Sequence, residues 1–258
     1  MCRGMPYRSN RECDMVMTMY EERTYRTLFK EENLHKTHYQ DKETDLLILS
    51  SHPFDAHSYV EDLRKGLEAY IGERPDFLTA LSPLDQDPGQ PDYINHMIEA
   101  GQAAGVGPMA AVAGMVSHYL GESMKDHDQV MIENGGDIYL RCQKDKVIGI
   151  YAGQSPFSNR VGIKVKGQDT PLGICTSAGS VGHSLSFGKA DAVVVLSKDT
   201  LLADATATAI GNLVKEAKDI RLGLEFGKNI PGIIGLVIIL GEDLGAFGDI
   251  ELVQLNEG

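Results

Sequence analysis

Several things are scarce in this sequence, and each scarcity excludes a class of protein. Cationic side chains are outnumbered: 24 lysines and arginines face 37 aspartates and glutamates, leaving a formal charge of −13 at pH 7. Such a surface repels phosphate backbones and anionic lipid heads, so neither nucleic acid nor membrane is expected as a partner. Cysteine is sparse and unclustered. Cys2, Cys13, Cys142 and Cys175 show no CxxC spacing and no signal-peptide apolar stretch opens the chain, so they read as reduced thiols of a cytoplasmic protein. Long apolar runs are missing too. GIIGLVIILG, 232–241, is the longest at ten residues; it suits a buried strand and falls far short of the roughly 20 residues that cross a bilayer.

Glycine, by contrast, is abundant, at 28 of 258 residues. A surplus of glycine marks tight turns and places where a backbone must come close to something. The length allows a sizeable core in one large domain or two small ones. The first eighteen residues, MCRGMPYRSNRECDMVMT, carry no apolar period. With methionines recurring up to Met19, residues 1–18 are expected to be an extension foreign to the fold.

Residues 20–29 and 34–50 carry strand-type residues around a polar turn at QDKE, the pattern of a hairpin. Asp55 can cap a helix whose apolar face is Val60, Leu63, Leu67 and Tyr70. The loop SPLDQDPGQPD (82–92) precedes a second helix with Ile94, Met97 and Ile98 on one face. Pro108 opens a third helix, PMAAVAGMVSHYL. After residue 127 short strands take over: QVMIE, DIYLRC, VIGIYAG, RVGIKVK, LGICTS and ADAVVVLS. A helix over 201–217 follows, then GIIGLVIILG and a last strand, IELVQL. Blocks of helices and blocks of strands, rather than strict alternation, predict an α+β fold.

Four tracts could carry chemistry. In LLADATATAIGN, 201–212, Asp204 and Thr208 stand four apart, so both emerge on one helix face. A carboxylate and a hydroxyl are hard oxygen donors that suit Mg²⁺ or Ca²⁺. The bland alternative is that a helix of small residues packs tightly on a sheet. In ENGGD, 133–137, Gly135 and Gly136 could let a flat ring lie on the main chain, with Glu133, Asn134 and Asp137 reading its edge; the alternative is a two-residue hairpin turn. GICTSAGSVGHSLSFGKAD, 173–191, offers hydroxyls, glycines and His183 to a phosphate. It is no P-loop, because Ala190 follows Lys189 and the glycine spacing is wrong; no GxSxG elbow is present either. GVGPMAAVAG, 105–114, opens a helix whose free amides could meet an anion, but it lacks the Rossmann pattern. The remaining histidines show no metal-ligand spacing.

Taken in order, GPMAAVAG, ENGGDIYL, CTSAGSVGHSLSFGKAD and LLADATATAIGN closely resemble the UPF0280 family over residues 20 to about 255. Over 105–212 they resemble the ApbE-like FAD:protein FMN transferases. The resemblance implies one ApbE-like α+β domain over 19–258, with mixed or antiparallel sheets and packed helices. It implies a Mg²⁺ held by Asp204 and Thr208, and a flavin dinucleotide (FAD) along Gly107, Met109, Ala110, Asn134, Gly135, Gly136, Thr176 and Ser177. Asp137 and His183 are then the candidate catalytic acid–base groups. It would explain the bare helix as a surface beside which the dinucleotide lies. The expected activity is FMN transfer to a protein acceptor or cleavage of the FAD pyrophosphate. The alternative is flavin or nucleotide binding without chemistry, since Ala110 and Ala111 stand where the transferases carry a lysine–glycine pair. Homo-oligomerisation is left open.

Overall fold

The computed structural model describes residues 34–179 and 188–255. The segment 20–29, the extension 1–18 and His183 lie outside those residues.

Chain order explains the layering. A hairpin of β1 (His35–Asp41) and β2 (Thr44–Ser50) turns at Lys42, whose φ is 52°. Then come α1 (Ala56–Glu73), a short α2 (Asp76–Thr79), α3 (Asp92–Ala104), a 3-10 turn Pro108–Ala111 and α4 (Val112–Ser123). The strand block follows: β3 (Val130–Asn134), β4 (Asp137–Arg141), β5 (Lys146–Gly149), β6 (Val161–Val165), β7 (Leu172–Ser177) and β8 (Ala192–Ser197). The chain closes with α5 (Thr200–Leu213), α6 (Ile220–Lys228), β9 (Ile233–Leu240), β10 (Asp243–Gly248) and β11 (Glu251–Gln254). The fold is α+β. Eight strands form one sheet in the order β1-β2-β3-β4-β7-β8-β9-β10, and three form another, β11-β6-β5. Every strand pair among the described residues is antiparallel.

The helices cover one face of the large sheet. Val60, Leu63, Leu67, Ile94, Met97, Ile98, Met115 and Leu120 meet Leu46, Ile48, Ile132 and Tyr139 in one core. Farther along the sheet, Ala203, Ala207 and Ile210 of α5 meet Cys175, Val193, Val195, Leu236 and Ile238. Strand side chains alternate between faces. The alternate set, Leu47, Leu49, Met131, Ile138 and Leu140, is buried as well, so the central strands are apolar on both sides rather than alternating.

Three sequence expectations shift. The third helix begins as a 3-10 turn before becoming α at Val112. The helix expected over 201–217 stops at Leu213. Beyond it lie α6 and β10, which the sequence does not announce, because their glycines read as breakers. In fact Gly223 and Gly227 face the sheet: a Cβ there would stand 2.7 Å from Ile238 and 2.3 Å from Leu236. Those glycines let α6 sit close on β9.

Candidate functional site

The hairpin β3–β4 turns through Gly135 and Gly136, whose φ values are 68° and 104°. Two consecutive left-handed residues are what a two-residue primed turn requires, and Asn134 pairs directly with Asp137. The turn reading of ENGGD is therefore correct, and two of its polar side chains serve the fold. Glu133 accepts from the Gly136 amide at 2.8 Å, and the Asn134 amide group donates to the Ala113 carbonyl at 3.3 Å.

Asp137 differs. It is buried, and its Oδ1 has no hydrogen-bond partner. Burial, then the neighbouring charge of Asp204, pushes its carboxyl well above the ordinary carboxylate range. Asp204 enters from α5. Its Oδ2 accepts from the Gly114 amide at 2.8 Å. Helix α4 has no side-chain cap of its own, so a carboxylate 90 residues away meets the positive end of the α4 dipole. Even so, burial raises the Asp204 carboxyl to about 7, against the pull of the Gly114 and Ala113 amides. The close approach depends on Gly114, where a Cβ would stand 2.6 Å from the Thr200 carbonyl and 2.9 Å from the Asp204 Cβ.

The other predicted residues divide into two groups. Thr208 lies one turn beyond Asp204 and is half-buried, while Thr176 and Gly136 are half-buried beside each other: a Cβ on Gly136 would meet the Thr176 carbonyl at 3.4 Å. Ser177 ends β7 and is buried. Asn134, Gly135, Gly136, Asp137, Thr176 and Asp204 thus converge at one end of the sheet. Gly107 and Met109 do other work. Gly107 is pressed against the Ala80 carbonyl, 1.7 Å from where its Cβ would be, and Met109 packs against the helical core. Ala110 is half-buried on the 3-10 turn, which lies against α5.

The bareness of α5 has a packing explanation. Ala203 and Ala207 are buried against β7 to β9, and Ala205 and Ala209 against the other helices. Within α5 only Thr208, Asn212 and Leu213 keep appreciable exposure. The expectation that the alanines clear room for a dinucleotide is corrected: they let the helix wedge between sheet and helices.

Cys175, read from the sequence as a reduced thiol, lies beside the carboxylate pair. The Cys175 thiol, fully buried, approaches the Thr200 carbonyl at 3.4 Å, and burial with the Asp137 charge raises it far above the usual thiol range. Elsewhere on α5, on the side away from Asp204, the Thr206 hydroxyl is buried with no partner. Nothing in the sequence marks the burial of Thr206, and the place of Cys175 beside Asp137 depends on which strands and helices meet. Among the described residues no cluster of three or more His, Cys, Asp and Glu forms a metal site. What the site offers is a pair of carboxylates, hydroxyls and main-chain carbonyls. That donor set is all hard oxygen, and an orphaned carboxylate oxygen sits in its interior, which fits a small divalent cation. A separate cavity, lined by Pro156, Phe157, Arg160, Leu244 and Leu252, belongs to another part of the molecule.

Comparison with known proteins agrees with this fold. A family model described as AbpE bacteria matches residues 26–225. A UPF0280 protein of Methanococcus maripaludis is 44% identical over 226 residues, covering 84% of this chain and 92% of its own. A UPF0280 protein of Methanosarcina acetivorans is 39% identical over 228 residues, covering 86% and 90%. Among solved structures, the apo flavinyl transferase ApbE of Pseudomonas stutzeri superposes with a TM-score of 0.53 at 16% identity, over 83% of this chain and 94% of that one. A mutant of the flavin transferase ApbE from Vibrio cholerae gives 0.52 at 10% identity, over 83% and 96%. At such identities the structural likeness concerns the fold. With a family model spanning most of its length and relatives of this similarity over most of both chains, the chain belongs to the UPF0280 family and has the ApbE fold.

Proposed function

We propose that this protein binds FAD through Mg²⁺ and cleaves it at the pyrophosphate, passing the FMN phosphoryl to a hydroxyl of a protein acceptor or to water. The observation that carries the reading is the carboxylate pair Asp137 and Asp204, buried together with one oxygen unpartnered. Two like charges in a poorly solvated interior are costly unless a cation shares them. The transferases that share the fold supply the flavin chemistry by analogy.

Asp204 and Thr208 would hold the cation, with Asp137 beside them. When bound it would neutralise charge on the bridging oxygens of the diphosphate. The chain's own groups do the rest. The Gly135–Gly136 turn presents a backbone without side chains to a flat ring. Asp137, held protonated more readily than an ordinary carboxyl, is suited to take up the proton of an acceptor hydroxyl or return it to a leaving group. His183 would share that role. The surroundings proposed are cytoplasmic, and no described helix is long and apolar enough to cross a membrane.

A second reading, binding without transfer, is favoured by Ala110 and Ala111, which offer no cationic side chain beside the phosphates. One experiment separates them. The purified chain is incubated with FAD and MgCl₂, and FMN and AMP are followed by chromatography. Release of both supports cleavage by water, release of AMP with the flavin left bonded to protein supports transfer, and tight Mg²⁺-dependent FAD binding without release of AMP supports the second reading. Asp204→Ala should abolish the Mg²⁺ dependence of FAD binding. If the variant binds FAD with unchanged Mg²⁺ dependence, the assignment of the cation is wrong.

A further inference from the structure

We propose that His96 is a positioning residue: it clasps the capped first turn of α5 to α3 and α4, and so sets where Asp204 and Thr208 stand. The geometry begins at Asp199, whose two oxygens are divided between two tasks. Oδ1 caps α5, accepting from the Leu201 amide at 2.9 Å and the Leu202 amide at 3.3 Å. Oδ2 meets His96 Nε2 from α3 at 3.0 Å. The other ring nitrogen, Nδ1, lies 3.3 Å from the Tyr119 hydroxyl on α4. One imidazole therefore ties three helices together where α5 begins, little more than a turn before Asp204. The same turn abuts Gly114 through the Thr200 carbonyl, and Gly114 is the donor to Asp204. A shift of the α5 start would thus move both ends of that hydrogen bond.

The groups around His96 favour its charged form. Burial opposes the charge, but the hydrogen bond and charge of Asp199, with Glu99 on α3 behind it, outweigh burial and raise its pKa. His118 on α4, its ring 5.4 Å away edge-on, is held low by burial and by His96 itself. Tyr119, raised to about 12 first by burial, stays a neutral phenol. Of the two imidazoles, His96 is the one whose surroundings favour the proton. A folded-state pKa above the unfolded value means that the clasp is complete below the ordinary histidine range of about 6.5 and is lost as pH rises through the folded value.

The consequence for ligand rests on the function proposed above; the placement of α5 does not. The first test is amide hydrogen exchange on the full chain without ligand, corrected for intrinsic rate. Wild-type peptides covering 200–206 should exchange about five-fold or more faster once pH passes well above the histidine range. His96→Leu should show the fast rate at every pH. His96→Gln, which keeps a donor toward Asp199 but no titrating charge, should give a flat profile. Wild-type protection and pH dependence in both variants would overturn the proposal. Should His96→Leu unfold altogether, His96→Gln alone decides, and a wild-type pH profile in it overturns the proposal. The second test adds FAD and MgCl₂. Wild-type binding weakened several-fold in His96→Leu extends the clasp to the site, whereas equal affinity in the two removes His96 from it. A wild type that binds no FAD, while 200–206 still responds to His96, retires the proposed function and leaves the clasp standing.

Discussion

Strand β4 and helix α4 lie together, and their two ends treat buried polarity in opposite ways. At one end, Tyr139 donates to Glu122 at 2.6 Å. Arg141 donates to the Tyr139 hydroxyl at 2.6 Å and to the Met124 and Gly121 carbonyls at 2.9 and 3.2 Å. A guanidinium sits on the negative end of α4, where the dipole favours it, and the Tyr139 hydroxyl, the Glu122 carboxylate and both helix carbonyls have partners. At the other end the α4 amides meet Asp204, and beside it stands a second carboxylate with an oxygen left over. The first end is a closed network, whose cost in desolvation is offset within the chain. The second end is open, with two carboxyl groups together and no cationic partner among the described residues. The contrast distinguishes polarity that serves the fold from polarity that waits for something else.

The largest test of that contrast is pH. Asp204, raised to about 7 by burial, holds its proton more tightly folded than unfolded. Its folded pKa is the higher one, so metal-free stability should fall as pH climbs from the ordinary carboxylate range toward 7, by on the order of a few kcal/mol. Thermal melts in chelator across pH should show this slope, and Asp204→Asn should lessen it, leaving the share from Asp137, and be the more stable protein at pH 8. A wild type with no such slope would mean that the pair is already neutralised from within.

The opposite sign is expected at the closed end. Arg141→Met should destabilise by about 1–3 kcal/mol, because it strips the Tyr139 hydroxyl and two helix carbonyls of a donor. Urea denaturation measures it, and a gain in stability would make the two ends alike. The smallest structural effect should come from Thr208→Val. The side chain is half-buried, so stability should stay within about 0.5 kcal/mol of wild type. Mg²⁺-dependent FAD binding, followed by flavin fluorescence, should nevertheless weaken several-fold.

Local pattern made parts of this legible. Asp55 does cap α1, accepting from the His57 amide at 3.0 Å, and Val60, Leu63, Leu67 and Tyr70 are the buried face of that helix. The Asn-Gly-Gly-Asp turn has the geometry that its glycines demand. The α+β class followed from blocks of one periodicity. What stayed hidden were α6 and β10, whose glycines look like breakers until the partner surface is seen, and the roles of Gly107 and Met109, which packing claims.

The sequence by itself determined most of the local conformations, the α+β class and the oxygen-bearing side chains of Asp137, Asp204 and Thr208, because periodicity, turn chemistry and side-chain type are properties of short stretches. Only the tertiary structure decided that Asp204 caps a helix 90 residues earlier, that Asp137 shares its burial, and that His96 closes on Asp199 across 103 positions. Desolvation and charge coupling depend on what surrounds a group in space, and no stretch of chain carries that information alone.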